Sequence, residues 1–182
     1  MDVHDAIESR RAYRSFEEHE MAEETARDLA RHAVLAPSCF NNQPWRYVFV
    51  YGREALGRLH GALSKGNEWA RAASMIIAVY SRKDLDCDVK GREYYLFDLG
   101  LSTGLLVLRA TELGLVAHPI AGFDEGAAKE ILGIDEEMKL ITLVIVGKHS
   151  DDINELLSEK QAEAEAERPE RLPVDEIARF VG

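Results

Sequence analysis

Cysteine is nearly absent: Cys39 and Cys87 are the only two in 182 residues, and they stand far apart. No Cys-x-x-Cys or other metal-ligand spacing occurs, so no metal centre is expected. Two isolated thiols are too few for a disulfide framework, which fits a reducing cytoplasm, with Cys39 expected as small buried packing. Long apolar runs are missing as well. The longest, Leu99–Leu108, is bracketed by Asp98 and Arg109 and is too short to span a bilayer. The opening residues include Asp2, His4, Asp5 and Glu8, which is not the pattern of a leader peptide. Nor is there an excess of positive charge. The formal net charge is −11, which argues against nucleic acid or an anionic membrane as the partner.

What is present suits one globular domain spanning 1–182: an apolar fraction of 46% and a charged fraction of 30% can build and solubilise a core. Apolar spacing predicts helices over Glu20–Leu35, Glu54–Ser64, Arg92–Leu113 and Glu125–Leu132, the last capped by Asp124 and ended by Gly133. Strands are predicted at Arg46–Tyr51, Met75–Tyr80 and Leu140–Val146, with a short extended piece at Val116–Ile120. Ser81–Asp88 reads as a charged surface connection. The helix over Arg92–Leu113 is apolar nearly all round, so it is expected to be buried, with Gly100 and Gly104 allowing close approach of another helix.

Residues 151–182 differ in composition and carry −6 of the net charge. They include the low-complexity Glu163–Glu167, read as a solvated helix, and an apolar end with Ile177, Phe180 and Val181. A tail with so little core of its own is expected to lie on another surface.

Chemistry concentrates in Pro37–Trp45, which reads Pro-Ser-Cys-Phe-Asn-Asn-Gln-Pro-Trp between a helix and a strand. Its amides can read the edge of a planar heterocycle, although a plain connecting loop is the simpler account of the stretch alone. Near the start, Arg10, Arg11 and Arg14 are suited to an anion, or merely to a helix C-terminus. His118 is expected to be a surface or packing group, and Tyr94 and Tyr95 core or interface aromatics.

Three stretches together resemble the nitroreductase-like flavoproteins. They are Ile7-x-x-Arg10-Arg11-x-x-Arg14-x-Phe16, Ala36-Pro-Ser-x-x-Asn41-x-Gln43-Pro44-Trp45, and Gly114-Leu115 with Pro119–Phe123. Arg168-x-x-Arg171-x-Pro173 resembles that family's C-terminal segment. The resemblance implies an α+β fold with a mixed or antiparallel sheet of four to five strands among helices. It also implies a homodimer, with residues 151–182 crossing to the partner and the long helix at its centre. FMN is the implied cofactor, with NADH or NADPH as transient reductant. The acceptor would be a small molecule such as a nitroaromatic, quinone or enone.

The residues carried over are Arg10, Arg11 and Arg168 or Arg171 for the phosphate, and Ala12 by its backbone, where many members have serine. Arg14 and Asn41 are assigned to the pyrimidine end, Ser38 and Gln43 to the loop around the ring, and the Ala121 and Gly122 amides to flavin N5 and O4. No side-chain acid or base is assigned. A flavin-binding sensor or store, a specialised enzyme of flavin breakdown or dehalogenation, and a ligand-free structural dimer are the alternatives. No Gly-x-Gly-x-x-Gly fingerprint selects between the nicotinamides.

Overall fold

The computed structural model describes all 182 residues. The chain runs α1 (Val3–Ser9), β1 (Phe16–Glu17), α2 (Glu23–Ala33), β2 (Arg46–Tyr51), α3 (Arg53–Leu59), β3 (Met75–Ser81), β4 (Asp88–Val89) and β5 (Arg92–Glu93). It continues with α4 (Tyr94–Glu112), β6 (Val116–Ile120), α5 (Glu125–Leu132), β7 (Lys139–His149), α6 (Glu159–Ala166) and α7 (Val174–Ile177). None of the helices is long and apolar enough to cross a membrane.

Five strands form one antiparallel sheet, β2–β3–β7–β6, with the two residues of β1 on the far end of β7. Strand side chains alternate faces, and here both faces are covered. Met75, Ile77 and Val79 point with Val144 and Val146 to Leu29 of α2 and Leu99 and Leu106 of α4. Ile76 and Ala78 point with Leu143 and Ile145 to Leu56 and Leu59 of α3, Trp69, and Ala128 of α5. A strand buried on both sides reads as a continuous apolar run, which is why β3 was legible.

Local chemistry sets the ends. Asp2 Oδ1 caps α1 by accepting from the Asp5 N–H at 2.8 Å. The α2 helix begins with Glu23 and Glu24 and ends with Arg31 and His32, each sign at the dipole end it favours. Asp124 caps α5, and Gly133, at φ 64°, ends it in the left-handed conformation glycine tolerates.

Several expectations need correction. The strand predicted over Leu140–Val146 does not stop at Val146: β7 runs on through Gly147 to His149. A Cβ at Gly147 would meet Phe16 Cδ1 at 2.8 Å, so glycine is needed there for β1 to approach. Ser81–Asp88 ends in the β4–β5 hairpin, turned at Lys90 and Gly91 with φ of 55° and 80°. The predicted helix over Glu54–Ser64 is α3 followed by a 3-10 turn at His60–Ala62. The α4 helix is buried on one side only: Leu96, Phe97, Leu101 and Leu105 are exposed. A Cβ at Gly100 or Gly104 would meet nothing within 4 Å, so neither glycine is required for close packing inside this chain.

The largest correction concerns the cysteines, since Cys39 and Cys87 form a disulfide. Sequence offers no sign of that pairing. The chain brings the loop before β2 and the approach to the β4–β5 hairpin together only through the sheet.

Candidate functional site

The expected site residues fall into two groups, and no hydrogen bond or ion pair joins one group to the other.

The first group is built where α1 ends and the chain runs extended into β1. Burial, then the neighbouring Arg168 and Arg171, pull the Arg10 pKa below its ordinary value, so three guanidinium groups gather here. Their contacts are not to carboxylates. Arg168 Nη2 donates to the Arg10 carbonyl, and Arg171 Nη1 donates to the Pro169 carbonyl at 3.2 Å. Arg11 Nη2 donates to the carbonyls of Ala164 and Glu165 at 3.0 and 3.2 Å, and the side chain lies over the Tyr13 ring. The Arg14 guanidinium lies 5.9 Å from the centre of the Trp69 ring. Ala12 stands half-buried between them with no polar side-chain atom to offer.

Glu165 holds this segment in place. Its carboxylate is 6% exposed and accepts from the Arg14 N–H at 2.9 Å and the Ser15 N–H at 2.7 Å. The α6 helix carrying it is fixed by a Ser158–Gln161 capping box, and Gln161 Nε2 donates to the Gly66 carbonyl at 2.9 Å. The helix is therefore docked and not simply solvated. Nothing in the Ala/Glu repeat distinguished Glu165 from its neighbours.

Ala121 and Gly122 follow β6 on the same side. The Gly122 carbonyl accepts from the Ser64 N–H at 3.2 Å and from Asn67 Nδ2 at 2.9 Å. A Cβ on Gly122 would collide with Asn67 Nδ2, so a larger residue there would displace the Asn67 amide from the Gly122 carbonyl. The amide N–H groups of Ala121 and Gly122 donate to no acceptor within the chain. Asn67 Oδ1 also accepts from Trp69 Nε1 at 3.3 Å, a link sequence reading did not anticipate.

Beside them His118 packs, as expected of a packing group, 4.9 Å from the Trp69 ring centre, with Nδ1 3.1 Å from the Tyr13 carbonyl. Burial pushes its pKa down to about 4.

The second group is the Pro37–Trp45 loop. Ser38 Oγ accepts from the Gln43 N–H at 3.0 Å, and Gln43 Nε2 donates to the Asn41 carbonyl at 3.3 Å. Phe40, Asn41 and Gln43 have φ of 47°, 60° and 52°, a region L-residues rarely occupy. The fold anchors the loop from below: Trp45 is buried, and Ser81 Oγ donates to the Pro44 carbonyl at 2.8 Å. The Cys39 N–H donates to Asp98 Oδ2 of α4 at 2.6 Å. Phe40 is 91% exposed, and Asn41 and Gln43 also face outward.

The Nitroreductase family model matches residues 7–68 and 57–148. An Archaeoglobus fulgidus protein named "Putative NADH dehydrogenase/NAD(P)H nitroreductase" is 26% identical over 154 residues, covering 80% of this chain and 84% of its own. A solved structure described as an oxidoreductase containing FMN is 28% identical, with TM-score 0.83, covering 100% of this chain and 93% of its own. A nitroreductase-like protein from Exiguobacterium sibiricum, solved in complex with FMN, shares the fold at 22% identity. Its TM-score is 0.82, with 100% and 98% of the two chains covered.

Proposed function

The chain belongs to the nitroreductase family, and from that premise we propose that it is an FMN-dependent oxidoreductase using NADH or NADPH to reduce a small nitroaromatic, quinone or enone. One observation carries this most. In an acidic chain, Arg10, Arg168 and Arg171 converge and none of them is ion-paired to a carboxylate, which suits a phosphate dianion. The donor set beyond them also fits FMN. Unspent N–H groups at Ala121 and Gly122 would serve the polar edge of the ring, and Arg14 would stabilise negative charge on it. Bound FMN supplies the hydride chemistry, and the protein binds, orients and tunes.

The Asn41 and Gln43 amides belong to the other half of the site. They face outward and do not meet the arginines within one chain, so this reading includes a two-fold homodimer in which one protomer's loop completes its partner's site. The exposed Leu96, Phe97, Leu101 and Leu105 of α4 supply an apolar face for that contact, and the exposed Leu172, Ile177, Phe180 and Val181 suit a tail lying on the partner. A cytoplasmic setting, where nicotinamide reductants are available, goes with it.

An absorbance spectrum of the purified protein, before and after anaerobic NADH or NADPH, tests the reading. Flavin bands that bleach are expected. Bands that persist with both nicotinamides would indicate a flavin store or sensor instead, and no bands after soaking with FMN would overturn the proposal.

A further inference from the structure

Cys39 and Cys87 tie the exposed loop to the chain just before the β4–β5 hairpin, with Cα atoms 6.2 Å apart and a sequence separation of 48. The bridge begins the 3-10 turn Cys39–Asn41, whose Phe40 and Asn41 have positive φ. Strained backbone of this kind persists only where its surroundings hold it. Around Cys39 the noncovalent restraints are the Asp98 carboxylate on the Cys39 N–H, the Asn41 and Asn42 N–H groups on the Ser38 and Cys39 carbonyls, Ser38 on Gln43, Gln43 Nε2 on the Asn41 carbonyl, and Asn42 Nδ2 on Asp86 Oδ1 at 3.2 Å and on Cys87 Sγ at 3.5 Å. Asn42 and Asn41 are exposed, so water competes for those bonds. The bridge is the one covalent restraint on the loop.

Both cysteines are half-buried and not sealed in the core. Asp86 lies against them, with Oδ2 unpartnered, and burial followed by Asp86 raises the pKa of the nearby Asp98 carboxyl. Disulfides in a reducing compartment are usually transient and redox-sensing.

We propose that the Cys39–Cys87 bridge is a reversible thiol–disulfide switch, opened by a dithiol, that sets how firmly the Pro37–Trp45 loop can hold flavin. This rests on the FMN reading given above. In the exchange, a thiolate of the dithiol attacks one bridge sulfur, the Cys39–Cys87 bond breaks and a mixed disulfide forms. The second thiol then displaces it. The dithiol leaves as its own disulfide, having given two electrons, and two protons end on Cys39 Sγ and Cys87 Sγ. With the bridge open, the turn relaxes toward ordinary φ values and Asn41 and Gln43 lose their fixed presentation, so flavin must order them on binding.

The test uses the full chain in two states, air-oxidised and reduced with dithiothreitol. Maleimide labelling read by mass reports the thiols, and FMN quenching reports affinity. The expected result is no label before reduction and two labels after it, at Cys39 and Cys87. FMN binding should weaken on the order of fivefold or more on reduction, recover on reoxidation, and match the reduced value in Cys39→Ser.

Thiols free in the oxidised preparation, or stoichiometric zinc held by the pair in place of a disulfide, would overturn the switch. So would equal FMN affinity in both states, which leaves the flavin reading intact. FMN binding in neither state would overturn both.

Discussion

At Gly147 a single missing Cβ lets β1 lie against β7. Gly147→Ala forces the new carbon to within 2.8 Å of Phe16 Cδ1, and overpacking of this kind costs about 1–3 kcal/mol. A thermal melt should show the loss, while Gly126→Ala, where the nearest contact is 3.5 Å, should not. His118 carries a pH dependence. Its folded pKa of about 4 lies below the ordinary 6.5, so at pH 7 it is neutral in both folded and unfolded chains and contributes no slope. As pH falls from 6.5 toward 4, the unfolded chain takes up a proton that the folded one refuses. Stability therefore falls across that window, by roughly 3 kcal/mol in full. Urea unfolding at pH 7 and pH 4.5 should show a larger drop in the native protein than in His118→Gln, and equal drops would contradict the assignment.

Among the elements, α6 matters more than its composition suggests. It delivers Glu165 to the Arg14 and Ser15 amides, and Glu165→Ala leaves both unpaired at a cost of about 2–3 kcal/mol. Amide exchange at Arg14 and Ser15 should quicken and FMN affinity should fall, with Glu165→Gln intermediate because one carbonyl oxygen still accepts. No change in exchange would mean that α6 rests there without holding anything.

The contrast with the sheet explains what sequence reading could reach. β2 and β3 were legible from apolar and β-branched runs, while Arg10, Arg11, Arg14 and Asn41 were singled out by the family resemblance. Glu165 was hidden because each Glu in an Ala/Glu repeat looks alike, and only the packing selects one. The Cys39–Cys87 pairing was hidden because it depends on two loops meeting across the sheet. Asn67 was hidden because its task, bonding the Gly122 carbonyl, belongs to a residue 55 positions away.

For the whole molecule, each chain carries only part of the proposed site. No hydrogen bond or ion pair joins the cation cluster and Gly122 to Asn41 and Gln43, and the apolar face of α4 is exposed. A two-fold pair would bring all three together, the long helices packing at the centre and the loops reaching across.

Flavin content of mixed dimers tests this most directly. Arg10→Ala with Arg168→Ala breaks one half of the site, Asn41→Ala with Gln43→Ala breaks the other, and each variant alone should hold little FMN. Co-expressed in equal amounts, half the dimers are mixed and each mixed dimer has one intact site, so bound FMN should recover to about a quarter of the native level. No recovery in a mixture shown to contain mixed dimers would contradict a site built from two chains.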